Sequence, residues 1–266
     1  MRKTILLVVL LLVAQLPVHA DAPPLAELER LLVPIATEPL QGAFGSLWES
    51  DLWLVTTSDI RFIGPLVDRN CVQPGCGPPP PPLPGPFEAV RPTIYRTRNG
   101  EPPGILLFVS RDSADDAVFN LRVGDTNRRQ VSSGVSIPIV RERDLKSSSA
   151  QLLNIVVHPD MRLRLRVYDP FKTGAARFRV RVFESELEDT LRSETDIELI
   201  EPASQVFHSW PYPLQPDSAE LDVDVSDYAD GAILRVEVVP LTAGVRFWAF
   251  ATVTNNLTNE VTIVTP

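Results

Sequence analysis

The sequence has few of the residues and motifs that enzymes use for chemistry. Its 266 residues include two cysteines, three histidines and two methionines. It contains no H-E-x-x-H zinc motif, no G-x-S-x-G nucleophile motif, no phosphate-binding loop and no dinucleotide-binding glycine pattern. Neither His158 nor His208 has a partner pattern beside it. We therefore predict no catalytic residue, no cofactor and no enzyme. The alternative is a secreted hydrolase whose site is assembled from distant residues.

Long apolar runs are also scarce, and the clear one lies at the N-terminus. Residues 5–14 are all apolar, they follow Arg2 and Lys3, and the three residues that end at Ala20 resemble an A-x-A cleavage site. The run is about half the ~20 residues that a membrane span needs. We predict a secretory signal peptide over residues 1–20, cleaved after Ala20. The mature chain is then secreted or periplasmic and has no membrane span.

Basic residues are fewer than acidic ones. The chain has 25 Lys and Arg against 34 Asp and Glu, a formal net charge of −9. Cleavage of the signal peptide removes Arg2 and Lys3 and makes the charge −11. A general nucleic-acid binder needs a basic surface, so this balance argues against a nucleic-acid partner.

The two cysteines, Cys71 and Cys76, are separated by four residues at the start of a proline-rich stretch. In an oxidising compartment such a pair closes a small disulfide ring, which is our prediction. Free thiols and a metal site are the alternatives, although a metal site needs more ligands than two thiolates. The adjoining residues 73–86 favour extended polyproline II. They suit a stiff spacer better than a docking site for a proline-recognition module.

Alternating apolar and polar residues, the signature of β-strands, dominate the rest of the chain. Residues 161–168 and 177–183 alternate most strictly, and the turn residues 169–174 between them predict a β-hairpin. The 26 prolines disfavour long helices. We predict an all-β fold made of two tandem antiparallel β-sandwich (immunoglobulin-like) modules.

A weak internal repeat places the boundary between these modules. Shifting the chain by 101 residues superposes 52–68 on 153–169 with five identities in seventeen positions. We predict four parts after the signal peptide, counting the insertion. They are an N-terminal lead-in over 21–41, module 1 over 42–143, its proline-rich insertion at 73–86, and module 2 over 144–266.

Six arginines alternate with apolar residues in the predicted hairpin and would share one face. Their partner could be an external polyanion such as an acidic polysaccharide, or the acidic segment 184–201 that follows directly. We favour internal neutralisation by that segment. The possible polyanion-binding residues are Arg162, Arg164, Arg166, Arg177, Arg179 and Arg181.

A cluster of carboxylates precedes the last strands. Calcium binds several oxygen ligands in one loop, but the spacing here is not that of an EF-hand. We prefer a solvated edge strand that carries charge against aggregation, and we predict no metal. The calcium alternative would use Asp222, Asp224, Asp227 and Asp230.

The chain resembles tandem all-β modules of secreted proteins from environmental bacteria, whose function is unassigned. Residues 42–48 leading into 51–55 resemble the opening of such a module, and 247–258 resembles its closing hairpin. The resemblance covers about residues 40–266 and departs from the pattern at 71–86. It implies a non-catalytic surface role.

The expected function follows from these points. We predict a secreted, non-catalytic structural, adhesive or ligand-binding protein of the bacterial periplasm or exterior. Its partners would be a polysaccharide or another surface protein. Trp48, Trp53 and Trp248 would stack on sugars if exposed, although core packing is the favoured interpretation.

Overall fold

The computed structural model describes residues 25–35, 40–41, 45–56, 62–63, 104–128, 134–185, 189–201 and 215–266. Within these residues the chain is all-β, as predicted, and its strands form four antiparallel sheets. The predicted signal peptide, the proline-rich insertion, both cysteines and His208 lie outside the described residues.

Eight strands precede residue 142, and they form two four-stranded sheets. Their bounds are β1 Leu28–Val33, β2 Leu40–Gln41, β3 Leu47–Thr56, β4 Phe62–Ile63, β5 Ile105–Ser110, β6 Ala117–Asp125, β7 Val135–Ile137 and β8 Val140–Arg141. Sheet 1 has the order β2-β3-β6-β7 and sheet 2 the order β4-β5-β1-β8. The described helices in this part of the chain are short 3-10 helices that lie before or between strands.

Eight more strands follow and form two further sheets. Their bounds are β9 Ala150–Val157, β10 Met161–Asp169, β11 Arg177–Glu184, β12 Thr190–Glu198, β13 Asp217–Val223, β14 Ala232–Pro240, β15 Trp248–Asn255 and β16 Val261–Val264. Sheet 3 has the order β13-β10-β15-β16 and sheet 4 the order β12-β11-β14-β9.

Sheets 3 and 4 face each other across a shared apolar core, an arrangement compatible with a β-sandwich. Leu163 and Leu165 of β10 and Phe178 and Val180 of β11 belong to this core, and each is at most 1% exposed. Since strand side chains alternate between the two faces, the arginines between them point outward. The strict alternation in the sequence therefore predicted correctly which side chains enter the core.

The predicted hairpin between β10 and β11 is wrong. β10 pairs with β13 and β15, whereas β11 pairs with β12 and β14. The seven residues 170–176 carry the chain from one sheet to the other, with Gly174 at a φ of 81°. Strands that face a common core from opposite sheets show the same alternation as hairpin partners, so the sequence pattern fits both. The six arginines consequently lie on the outer faces of two different sheets.

Sheet 2 is buried on both of its faces. Residues 105–109 of β5 are all apolar and are each at most 2% exposed. A consecutive buried run needs a packing neighbour on either face of the strand. The apolar cluster that contains these residues of β5 accordingly also includes Leu52 and Leu121 of sheet 1 and Trp248 and Phe250 of sheet 3. Sheet 2 therefore packs against both sheet 1 and sheet 3, and β7 of sheet 1 also lies beside β16 of sheet 3.

This packing crosses the predicted module boundary at residues 143 and 144. One apolar cluster joins sheets on both sides of that boundary. The division into two modules stays a prediction. Among the described residues, no helix is long and apolar enough to cross a membrane.

Candidate binding groove between β12 and β13

The arginines of β11 are bonded to carboxylates of the neighbouring strand β12. Arg179 donates two hydrogen bonds to Asp196, at 2.8 and 3.2 Å, and Arg181 donates one to Glu194 at 2.8 Å. The hydrogen bond from Arg179 lowers the pKa of the Asp196 carboxyl below its ordinary value. The acidic segment after β11 thus neutralises this row of arginines, by pairing beside them rather than by lying across them.

The arginines of β10 use different carboxylates, which lie on β13. Arg164 donates to both oxygens of Asp222 at 2.7 and 2.9 Å, and Arg166 donates to Glu220 at 2.6 Å. Arg166 is only 8% exposed, and its guanidinium carbon lies 5.8 Å from the ring centre of Phe250. This row runs from the buried Tyr168 at the contact with sheet 2 to the exposed end of the strand.

The edges of sheets 3 and 4 meet at one point and separate beyond it. Ile200, just after β12, and Ser218 of β13 exchange two backbone hydrogen bonds of 3.0 and 3.1 Å. Continuing this antiparallel register would place three pairs of carboxylates opposite each other, and like charges in such positions destabilise a ladder. The arginine rows hold most of these carboxylates on the outer faces instead. The opposed pairs would be Glu198 with Glu220, Asp196 with Asp222, and Glu194 with Asp224.

A groove of about 390 Å³ opens where the two edges separate. Its apolar lining comes from the core-facing side chains of β11 and β13, and its polar lining comes from β12, from Asp222 of β13 and from the loop after β13. Ser193 and Thr195 occupy core-facing positions of β12, opposite Val182 and Val180, yet both are exposed. The lining residues are Val180, Val182, Arg192, Ser193, Thr195, Leu221, Asp222, Val223, Asp224, Asp227 and Tyr228.

A β-bulge turns Arg192 into this groove. The register of β11 and β12 shifts after Val182, which leaves Arg192 as the extra residue. Bulges of this kind re-aim a side chain, and they are frequent beside functional sites. Arg192 forms an ion pair with Glu184 at 3.3 Å and lies 5.4 Å above the ring centre of Tyr228. Burial raises the pKa of the Tyr228 hydroxyl.

Three of the four calcium candidates, Asp222, Asp224 and Asp227, line the groove, and Asp230 does not. Asp222 is bonded to Arg164, and that bond lowers its pKa. Asp224 accepts hydrogen bonds from the backbone and hydroxyl of Ser226, which lower its pKa as well. Asp230 contacts His158, whereas Asp227 lines the groove. Among the described residues, no three or more His, Cys, Asp or Glu side chains form a group that could hold a metal ion.

The remaining candidates lie elsewhere. His158 and Asp230 contact each other through the ring Nδ1 on an exposed turn, with side chains that are 39% and 80% exposed, and neither residue lines the groove. Trp248 is buried between sheets 2 and 3, as core packing predicted. Trp53 is half-buried on β3 and pairs with the exposed Asn120, on the opposite face from the core residue Leu52.

Sequence reasoning identified the aspartates of this groove but missed Arg192, Ser193, Thr195 and Tyr228. A signal was present, because Ser193 and Thr195 stand at alternate positions of a strand where a core-facing row would be apolar.

No protein-family model, no curated protein and no solved structure matches this chain.

Proposed function

We propose that the chain is an exported, non-catalytic binding protein of immunoglobulin-like β-sandwich modules. In this proposal it binds a polysaccharide or another surface protein in the groove between β12 and β13. The observation that carries the proposal is the groove itself, which opens to solvent beside the apolar core. Ligand sites typically combine an apolar lining with a few placed polar groups.

The surroundings of the groove support a binding role. The floor is rigid, because Val180 and Val182 are at most 2% exposed and belong to the core cluster. One wall is held by the ion pairs between β11 and β12, and the other by Arg164 and its partner Asp222. A preorganised site loses less conformational entropy when a ligand binds, so these contacts favour affinity.

The immunoglobulin-like assignment is supported by strand connectivity. Between β9 and β15 the chain crosses between sheets 3 and 4 at every connection except that of β11 to β12. Sandwiches of the immunoglobulin type likewise share consecutive strands between two packed sheets. Export is supported by the N-terminal sequence, and intact-mass analysis of the secreted protein tests it. We expect a mature chain that starts at Asp21, and a retained Met1 would contradict export by cleavage.

A groove-filling substitution tests the binding role. Thr195→Trp places an indole in the groove, whereas Leu191→Trp places one on the same strand at a residue that is already 49% exposed and does not line it. On arrays of polysaccharides and surface proteins, we expect the first variant to lose about tenfold or more in affinity and the second to bind like wild type. Equal binding by both variants would place the ligand site on another surface.

A further inference from the structure

We propose that the ligand of this groove is an extended peptide segment that adds to the open edge of β12 as a new strand. The segment would direct small apolar side chains into the groove and a basic side chain toward Asp224 and Asp227. This inference rests on the proposed function and names the class of its partner.

The backbone of β12 provides the first argument. On one side β12 pairs with β11, and among the described residues its other side makes no ladder contact before the Ile200–Ser218 bridge. Every residue from Thr190 to Asp196 is exposed. A strand edge with free N–H and C=O groups is a template for an added strand, as in β-augmentation. The bridge at Ile200 already has the geometry that such pairing requires.

The groove beside this edge provides the second argument. Alternate side chains of an added strand would point toward the core side, where Leu221 and Val223 line the groove with Val180 and Val182. These four side chains offer an apolar contact for small aliphatic residues. Ser193 and Thr195 are short, so they leave the space beside β12 open.

The distribution of charge provides the third argument. Most of the outward carboxylates of β12 and β13 are already bonded to arginines, as Asp196 and Asp222 illustrate. Asp224 and Asp227 are exposed, and no described Arg or Lys lies within ion-pair distance of either. Both line the groove with Asp222, and the arginine that lines it, Arg192, is paired with Glu184, so the lining carries three carboxylates and one guanidinium. A lysine or arginine of the partner peptide complements this charge, whereas an acidic polysaccharide is repelled.

Synthetic peptides test the proposal directly. The probe is the heptapeptide Lys-Val-Thr-Val-Thr-Val-Lys, which carries lysine at both ends and so suits either strand direction. Its first control replaces both lysines by glutamate. Its second control N-methylates all five residues between the lysines, which removes the backbone donors on both edges of the peptide but retains every side chain. Binding to the full mature chain is measured by fluorescence anisotropy, and amide hydrogen exchange reports which backbone groups become protected.

The proposal predicts the following results. The lysine probe binds, and affinity falls about tenfold or more for each control peptide and for the Thr195→Trp variant. The double change Asp224→Asn with Asp227→Asn weakens binding several-fold and reduces its salt dependence. Amides of β12 gain protection only with the lysine probe. The melting temperatures of the variants are compared with wild type to verify that each one is folded.

Other outcomes overturn the inference and separate it from the proposed function. If the N-methylated or the glutamate peptide binds as well as the probe, strand addition or the charge argument is wrong. If polysaccharides bind and Thr195→Trp blocks them, while the lysine probe does not bind, the groove is a ligand site for a different class of partner. If Thr195→Trp blocks no ligand of any class, the proposed function fails together with this inference.

Discussion

The hydroxyl of Tyr168 on β10 donates a hydrogen bond to the carbonyl oxygen of Pro34, which follows β1, with 2.6 Å between the two oxygens. Tyr168 is 2% exposed, and burial raises the pKa of its hydroxyl. Its ring belongs to the same apolar cluster as Leu31 of β1. This contact links sheet 2 to sheet 3.

Removing the hydroxyl of Tyr168 should destabilise the packing of sheet 2 on sheet 3. In Tyr168→Phe the carbonyl of Pro34 loses its donor in a buried place, and we expect a loss of about 1–3 kcal/mol in the free energy of unfolding. Urea denaturation measures it. Tyr228→Phe is the matched control, because Tyr228 lines the groove, where water can take the place of its hydroxyl. Equal losses in both variants would contradict this account of Tyr168.

Phe171 should stabilise the same contact through two cations. The guanidinium carbons of Arg30 and Arg246 lie 4.1 and 5.0 Å from the centre of its ring. Phe171→Leu retains apolar burial but removes the ring, and we expect a loss of about 1–2 kcal/mol in unfolding free energy. In a double-mutant cycle with Arg30→Met, the two losses should not add. Full additivity would mean that ring and guanidinium do not interact.

Two opposed buried carboxylates should respond to neutralisation in opposite ways. Asp169 and Asp217 face each other across β10 and β13, and they are 0% and 4% exposed. Asp169 accepts backbone hydrogen bonds from Phe171 and Thr173, so Asp169→Asn should cost about 1–3 kcal/mol. Asp217 has one carboxyl oxygen that is buried without a hydrogen bond, and the Nζ of Lys172 lies 3.8 Å from it. Burial outweighs this attraction and raises the pKa of the Asp217 carboxyl, so Asp217→Asn should stabilise the protein at neutral pH.

The pH dependence of the second variant follows from the Asp217 carboxyl, whose pKa is raised by burial. The folded state binds this proton more tightly than the unfolded chain, so the charged form destabilises the fold at neutral pH. The advantage of Asp217→Asn should therefore shrink as the pH falls through the raised pKa toward 3.8, the ordinary value. Urea midpoints across this range measure it. An advantage that grows on acidification would contradict the assignment.

The two arginine rows should act independently, because they lie on different sheets. Arg164→Glu and Arg179→Glu each place a carboxylate against an existing one, Asp222 or Asp196, so each should lower the urea midpoint. The two decreases should add in the double variant. Strong coupling between the two changes would contradict the separation of the rows.

These ion pairs also predict an acid-sensitive contribution. The pKa values of Asp196 and Asp222 are lowered by their arginine partners. Their stabilising effect is therefore present above the ordinary value of 3.8, and it is lost as the pH falls through the lowered values. The difference in urea midpoint between wild type and the double variant Arg164→Glu with Arg179→Glu should shrink below about pH 3.8. A constant difference would contradict the ion-pair explanation.

Binding of a polyanion by the arginine rows stays a prediction, and the same double variant tests it. Since the guanidinium groups of Arg164 and Arg179 are bonded to carboxylates, we expect little retention of wild type on a column of acidic polysaccharide. Salt-sensitive retention that disappears in the double variant, with an unchanged urea midpoint, would contradict internal neutralisation.

The sequence predicted the strands and their core-facing residues, but not which strands pair. The alternation around Leu165 and Val180 correctly predicted strands and their core-facing residues. The acidic residues after β11, such as Asp196, pair with the arginines of β11 as expected, but those of β10 pair with β13 instead. The pairing of β10 with β13 could not be predicted, because Asp222 is 58 residues from Arg164 and nothing local couples them. The groove escaped prediction for the same reason, since its two walls come from strands on different sheets.

The sequence by itself determined that this chain is all-β and which side chains face inward, because a period of two residues is a local property of each strand. It also determined the charges at the edges of sheets 3 and 4. Only the tertiary structure decided which strands became neighbours, because Leu165 and Val180 meet the same core whether their strands pair or face each other. It also decided that the carboxylates of β12 and β13 bond to arginines on the outer faces, which leaves a groove open between the two edges.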